Sequence, residues 1–72
     1  MSEADEMFKK LGYEKTRDGE DCWCIYENKL HKISFEKNVQ SIFFEDKKDN
    51  IVLIKKEVLQ AINKKVEELG WN

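Results

Sequence analysis

The chain has 72 residues, 39% of them charged, with 13 Lys or Arg against 15 Asp or Glu and a net charge of −2. That length predicts one small domain spanning residues 1–72 and argues against a large buried catalytic pocket. The slightly acidic balance also argues against a dedicated nucleic-acid binder, which carries a basic excess. Mixed charge with 11% aromatic residues fits a folded domain and not a disordered one. In so short a chain, burial only just offsets conformational entropy, so a homodimer or a bound protein partner is a natural way to cover remaining apolar surface.

At the N-terminus, residues 1–6 carry acids where a secretory signal carries bases. No apolar run approaches the roughly 20 residues that span a bilayer. Together these predict a cytoplasmic protein without membrane contact. Ser2 is placed to cap a first helix, with Asp5 and Glu6 in the first turn, where the helix dipole favours negative charge. Met7, Phe8 and Leu11 make its apolar stripe. Gly12 is the left-handed stop, which brings Tyr13 onto Phe8 in a Schellman motif.

Four β-rich runs follow, at residues 22–27, 30–36, 39–45 and 51–54, with an Asp18-Gly19 turn before the first. Their short connections predict an antiparallel meander. Reading Asn28-Lys29 and Lys37-Asn38 as two-residue loops pairs Tyr26 with His31, Cys24 with Ile33, Cys22 with Phe35, Ile33 with Ile42 and His31 with Phe44. Alternation then puts Cys22, Cys24, Tyr26, His31, Ile33, Phe35, Ile42 and Phe44 on one face. Trp23, Ile25, Leu30, Lys32, Ser34, Val39, Ser41 and Phe43 take the other. The first set is the better core. Val58, Leu59, Ile62, Val66 and Leu69 form the stripe of a C-terminal helix that should lie across it. Gly70 and Trp71 repeat the device of Gly12 and Tyr13. The predicted fold is α+β: a short N-terminal helix, a meander of three or four strands, and a C-terminal helix on one sheet face.

The second face is more apolar than a solvated face needs. Trp23, Ile25, Val39 and Phe43, with Lys32 beside them, are the candidate binding residues. Either the N-terminal helix covers them, making three layers, or they form an exposed patch of the kind that marks interaction sites. A nucleic-acid accessory protein is the alternative, with Trp23 and Phe43 as stacking platforms and Lys32 beside them.

Chemistry is sparse. Cys22, Cys24 and His31 are the soft metal ligands, fewer than the four of a structural zinc site. Both thiols fall on the core face, where Cys acts as a small hydrophobe. A Cys nucleophile would need a base in reach and a third group to orient it. Acids cluster at Glu3, Asp5 and Glu6, at Asp18, Glu20 and Asp21, and at Glu67 and Glu68, which suits a helix start, a loop and a solvated helix face. No phosphate-binding loop, paired-His helix or Ser-centred elbow is present. Lys9-Lys10, Lys47-Lys48, Lys55-Lys56 and Lys64-Lys65 have acidic neighbours that offset much of their field. No catalytic residue, metal or cofactor is expected, and the leading function is protein interaction.

Two segments carry a family resemblance: Phe8-Lys9-Lys10-Leu11-Gly12-Tyr13-Glu14-Lys15 near the start, and residues 59–71, reading LQAINKKVEELGW, at the end. They resemble the ends of small uncharacterised proteins encoded by prophages and conjugative elements of low-GC Gram-positive bacteria. That group usually has Thr or Ser before an acidic helix start, where this chain has Ile54-Lys55-Lys56-Glu57. The resemblance implies a mobile-element origin and residence in a bacterial cytosol. It brings no activity and no functional residues.

Overall fold

The computed structural model describes residues 2–19 and 21–71. Met1, in the acidic N-terminal stretch, and Glu20, grouped above with Asp18 and Asp21, lie outside them. Helix α1 (Glu3–Lys10) opens with Ser2 Oγ accepting the Asp5 N–H at 3.0 Å. This satisfies a first-turn donor that no helical carbonyl can reach. At its end Gly12 takes φ +92°, and the Tyr13 N–H donates to the Phe8 carbonyl at 3.0 Å. The Tyr13 ring meets Phe8 edge-on, with centroids 5.8 Å apart. Helix α2 (Lys56–Glu68) closes in the same way. Gly70 stands at φ +76°, and the Trp71 N–H donates to Val66 at 3.1 Å. Both stops are Schellman motifs, as the sequence predicts. The start of α2 differs: Lys55 occupies the cap position in extended backbone and makes no side-chain capping bond.

Strands β1 (Glu14–Asp18), β2 (Trp23–Glu27), β3 (His31–Glu36) and β4 (Ser41–Asp46) form one antiparallel sheet in chain order. The architecture is the predicted α+β meander, with one strand in an unexpected place. Residues 51–54 are not a strand, whereas the wholly polar Glu14–Asp18 is one. Every residue of β1 is exposed, so it carries no apolar alternation to read. It is held by the edge of β2 and by polar contacts, including Thr16 Oγ1 donating to Glu27 at 2.6 Å. An antiparallel hairpin from β4 into residues 51–54 would set Asp46 and Glu45 opposite Ile51 and Val52. Opposed pairs of that kind contribute little. Residues 51–55 instead form an irregular link from β4 to α2.

The hairpin register also differs from the two-residue-loop reading, by two residues in each case. Tyr26 pairs with Ile33 and Cys24 with Phe35. Phe35 pairs with Ile42 and Ile33 with Phe44. The connection between β3 and β4 is a four-residue turn, Lys37-Asn38-Val39-Gln40, with Gln40 at φ +54°. A shift of two residues keeps the side-chain alternation, so the face assignments survive even though the partners change.

Both helices lie on the first face. Phe8 from α1 and Val58, Ala61 and Ile62 from α2 share one core with Cys24, Tyr26, Ile33 and Phe35. Phe8 stacks on Tyr26 at 4.1 Å and meets Phe35 edge-on at 6.3 Å. The molecule therefore has two layers. With α1 packed beside α2, its apolar stripe is used on this side, and the three-layer arrangement is excluded.

A polar latch fastens α1 to the sheet. Asp5 accepts from Lys15 Nζ at 2.8 Å and from the Tyr26 hydroxyl. Lys65 is only 7% exposed, and its ammonium lies 5.8 Å from the Tyr26 ring centroid. Burial pushes the Asp5 carboxyl up, but hydrogen bonds from Lys15 and Tyr26 outweigh it and hold the group below its ordinary value of 3.8. Asp18 is shifted the same way, with burial again opposed by Lys15. A carboxyl with a depressed folded pKa stabilises the fold fully above its unfolded pKa and loses that contribution as pH falls through the folded value. Asp5→Asn should therefore lower stability at neutral pH and flatten its decline below about pH 4. Urea titrations at neutral and acid pH check this; an unchanged acid slope would contradict the assignment.

Candidate interaction surface

The sheet face away from the helices gathers most of the residues picked out for it. Trp23, Ile25, Lys32 and Phe43 line a shallow hollow of about 370 Å³, together with Arg17, Ser34 and Glu45. The strands set this geometry. Ser34 on β3 pairs with Ile25 on β2 and with Phe43 on β4. Ser34 itself is only 3% exposed, covered by its larger neighbours. The Trp23 and Phe43 rings stand 5.8 Å apart, tilted by 48°. Phe43 is 47% exposed and Trp23 is half-buried.

Two of the candidate residues need correction. Ile25 lies on this face but is 7% exposed, so it is the floor of the hollow and not a contact residue. Val39 belongs to the turn between β3 and β4, is 65% exposed, and does not line the hollow. A loop two residues longer than the one read from Lys37-Asn38 took it out of the sheet.

Cations on this face stand beside anions. Arg17 donates to Asp21, with Nε 2.8 Å from the carboxylate. Asp21 is held below its ordinary value mainly by that bond and by the Trp23 N–H. Lys32 sits between Glu27 and Glu45 in the strand register. The surface is thus apolar at its centre with locally balanced charge around it. That composition suits a protein surface better than a phosphate backbone.

The Cys and His residues are placed apart. Burial pushes the Cys24 thiol up, and burial with the nearby Glu36 carboxylate does the same to Cys22. Thiols held protonated are poor nucleophiles and poor metal ligands. His31 pairs across the sheet with Asp46, whose Oδ2 is 3.4 Å from Nε2. On the other side of the ring, Nδ1 lies 3.3 Å from the Tyr13 hydroxyl oxygen. The three side chains tie β3 and β4 to the end of α1. Among the described residues no group of three metal-ligating side chains converges.

A larger hollow, about 740 Å³, lies along the end of β1 and β2 and is lined by Thr16, Glu27 and Lys47 among others. Glu27 already accepts from Thr16 and pairs with Lys47 at 3.0 Å. The strongest feature missed in the sequence is buried Lys65, grouped there with Lys64 as solvated charge. Its signal was legible, since position 65 continues the 58, 61, 62 stripe by three residues. No described helix is long and apolar enough to cross a membrane. Comparison with protein-family models, curated proteins and solved structures gave no match.

Proposed function

We propose that the chain is a non-enzymatic protein-interaction module, made by a mobile genetic element and acting in the cytoplasm, which binds a protein partner through the open sheet face. The observation that supports it most is the Trp23–Phe43 aromatic pair on a sheet face that neither helix uses. Large aromatics over a desolvated floor are the side chains on which binding energy concentrates. Ile25 and Ser34 supply that floor. The mobile-element origin rests on the resemblance of the two terminal segments. The absence of an enzymatic role in this reading rests on protonated thiols and on a His31 engaged by Tyr13 and Asp46.

The test compares the wild-type chain with Trp23→Ser/Phe43→Ser in a pull-down from bacterial lysate. Because neither ring belongs to the core, the double variant should keep its circular dichroism spectrum and lose no more than about 2 kcal/mol. A protein retained by the wild type and lost by the folded variant supports the reading. Equal retention by both, or collapse of the variant, overturns it. Arg17 and Lys32 beside the two rings also recommend a nucleic-acid reading. Salt-dependent binding of single-stranded RNA, lost in the same variant, would favour that alternative.

A further inference from the structure

We propose that the free edge of β4 accepts residues 52–55 of a second copy of this chain as a parallel strand. Phe43 and Glu45 belong to both this edge and the open face, but the pairing does not rest on the open-face reading. The two edges of the sheet are unequal. At one side β1 is entirely exposed, carries Lys15 and Arg17, and is interrupted by a bulge between them. Charge and bulging are the usual defences of an edge strand against unwanted pairing. At the other side β4 runs in unbroken register with β3, and its sequence, Ser41-Ile42-Phe43-Phe44-Glu45-Asp46, has no Lys, Pro or bulge. Ile42 and Phe43 are both exposed there.

The chain also carries a segment that lacks a place in its own sheet. Ile51, Val52, Leu53 and Ile54 are consecutive and exposed, Ile51 by 96%. Their order fits β4 in one direction. Set parallel, Val52 adjoins Ile42, Leu53 adjoins Phe43 and Ile54 adjoins Phe44. Lys55, the cap residue of α2 and still in extended backbone, then adjoins Glu45.

Each row of the sheet continues in kind. Glu27, Lys32 and Glu45 alternate in sign across β2, β3 and β4, and Lys55 would be the fourth member. Tyr26, Ile33 and Phe44 make an apolar row that Ile54 would extend. Cys24, Phe35 and Ile42 make another, extended by Val52. An antiparallel approach loses this match, because aligning the apolar residues then sets Glu45 and Asp46 against Asn50 and Asp49 and leaves Lys55 without an acid.

The segment cannot reach its own β4 in the parallel sense. Five residues, Lys47 to Ile51, separate Asp46 from Val52, and a parallel crossover needs about a dozen or more. The donor is therefore another copy.

Sedimentation velocity of the full chain, from low micromolar to near-millimolar concentration, tests the pairing. The set is wild type, Glu45→Lys, Lys55→Glu and the double exchange Glu45→Lys/Lys55→Glu, each first shown folded by circular dichroism. Wild type should associate with rising concentration, each single variant should associate about tenfold more weakly, and the double exchange should recover. A wild type that stays monomeric, or a double variant no better than the singles, overturns the proposal. Association indifferent to the charge exchange but lost in Trp23→Ser/Phe43→Ser would also overturn it, by moving the contact to the open face. The two readings therefore fail separately.

Discussion

Replacing Phe8 with Ala should remove about 3–5 kcal/mol of stability, the range for deleting a buried aromatic. Phe8 is fully buried, stacks on Tyr26 and meets Tyr13 and Phe35 edge-on. It is the one large side chain of α1 among the fully buried residues, so its loss releases the helix as well as opening a cavity. A domain of this size holds roughly 4–11 kcal/mol in total, so the variant should give up a large share of it. Urea denaturation followed by tryptophan fluorescence checks the result. Phe8→Leu, which leaves a smaller void, should retain a cooperative transition. A loss under about 1.5 kcal/mol for Phe8→Ala would mean that α1 is not part of the core.

The second large effect is at Lys65. Its stem lies in the core-facing stripe of α2, its ammonium sits over Tyr26, and its charge helps hold Asp5 and Asp18 ionised. Lys65→Glu would put a carboxylate among those acids in a largely desolvated place and should cost about 3 kcal/mol. Lys65→Met keeps the packing of the stem and removes only the charge, so it should stay within about 1 kcal/mol of wild type. The contrast separates packing from electrostatics. Equal losses in the two variants would show that a carboxylate at this position meets no repulsion from Asp5 and Asp18. Thermal denaturation of both, at low and moderate salt, reads the difference.

Several local features needed nothing beyond neighbouring residues. Ser2 caps α1, and Gly12 and Gly70 end the helices, because those choices depend on a few consecutive side chains and on glycine's tolerance of positive φ. The two faces of β2 and β3 were also legible, since apolar alternation has a period of two. The assignment tolerated an error of two residues in each loop and would not have tolerated one. Val39 shows where that tolerance ends: it was read as a strand residue, yet the longer turn removed it from the sheet.

What failed was long-range. β1 has no apolar residue, and its strand character comes from the β2 edge beside it. Residues 51–54 have strong β composition and still find no strand to join within the chain. Trp23, Lys32 and Phe43, read from alternation onto one sheet face, line one open hollow there, and Ile25 is its floor.

By itself the sequence determined the helices, their stops, the meander and the division of side chains between two faces, because each follows from periodicity or from contacts a few residues apart. Only the tertiary structure decided that both helices share one face, that Glu14–Asp18 and not residues 51–54 completes the sheet, and that Lys65 is buried. Those outcomes depend on which surfaces remain unpaired once the rest of the chain has folded, and no local pattern encodes that competition.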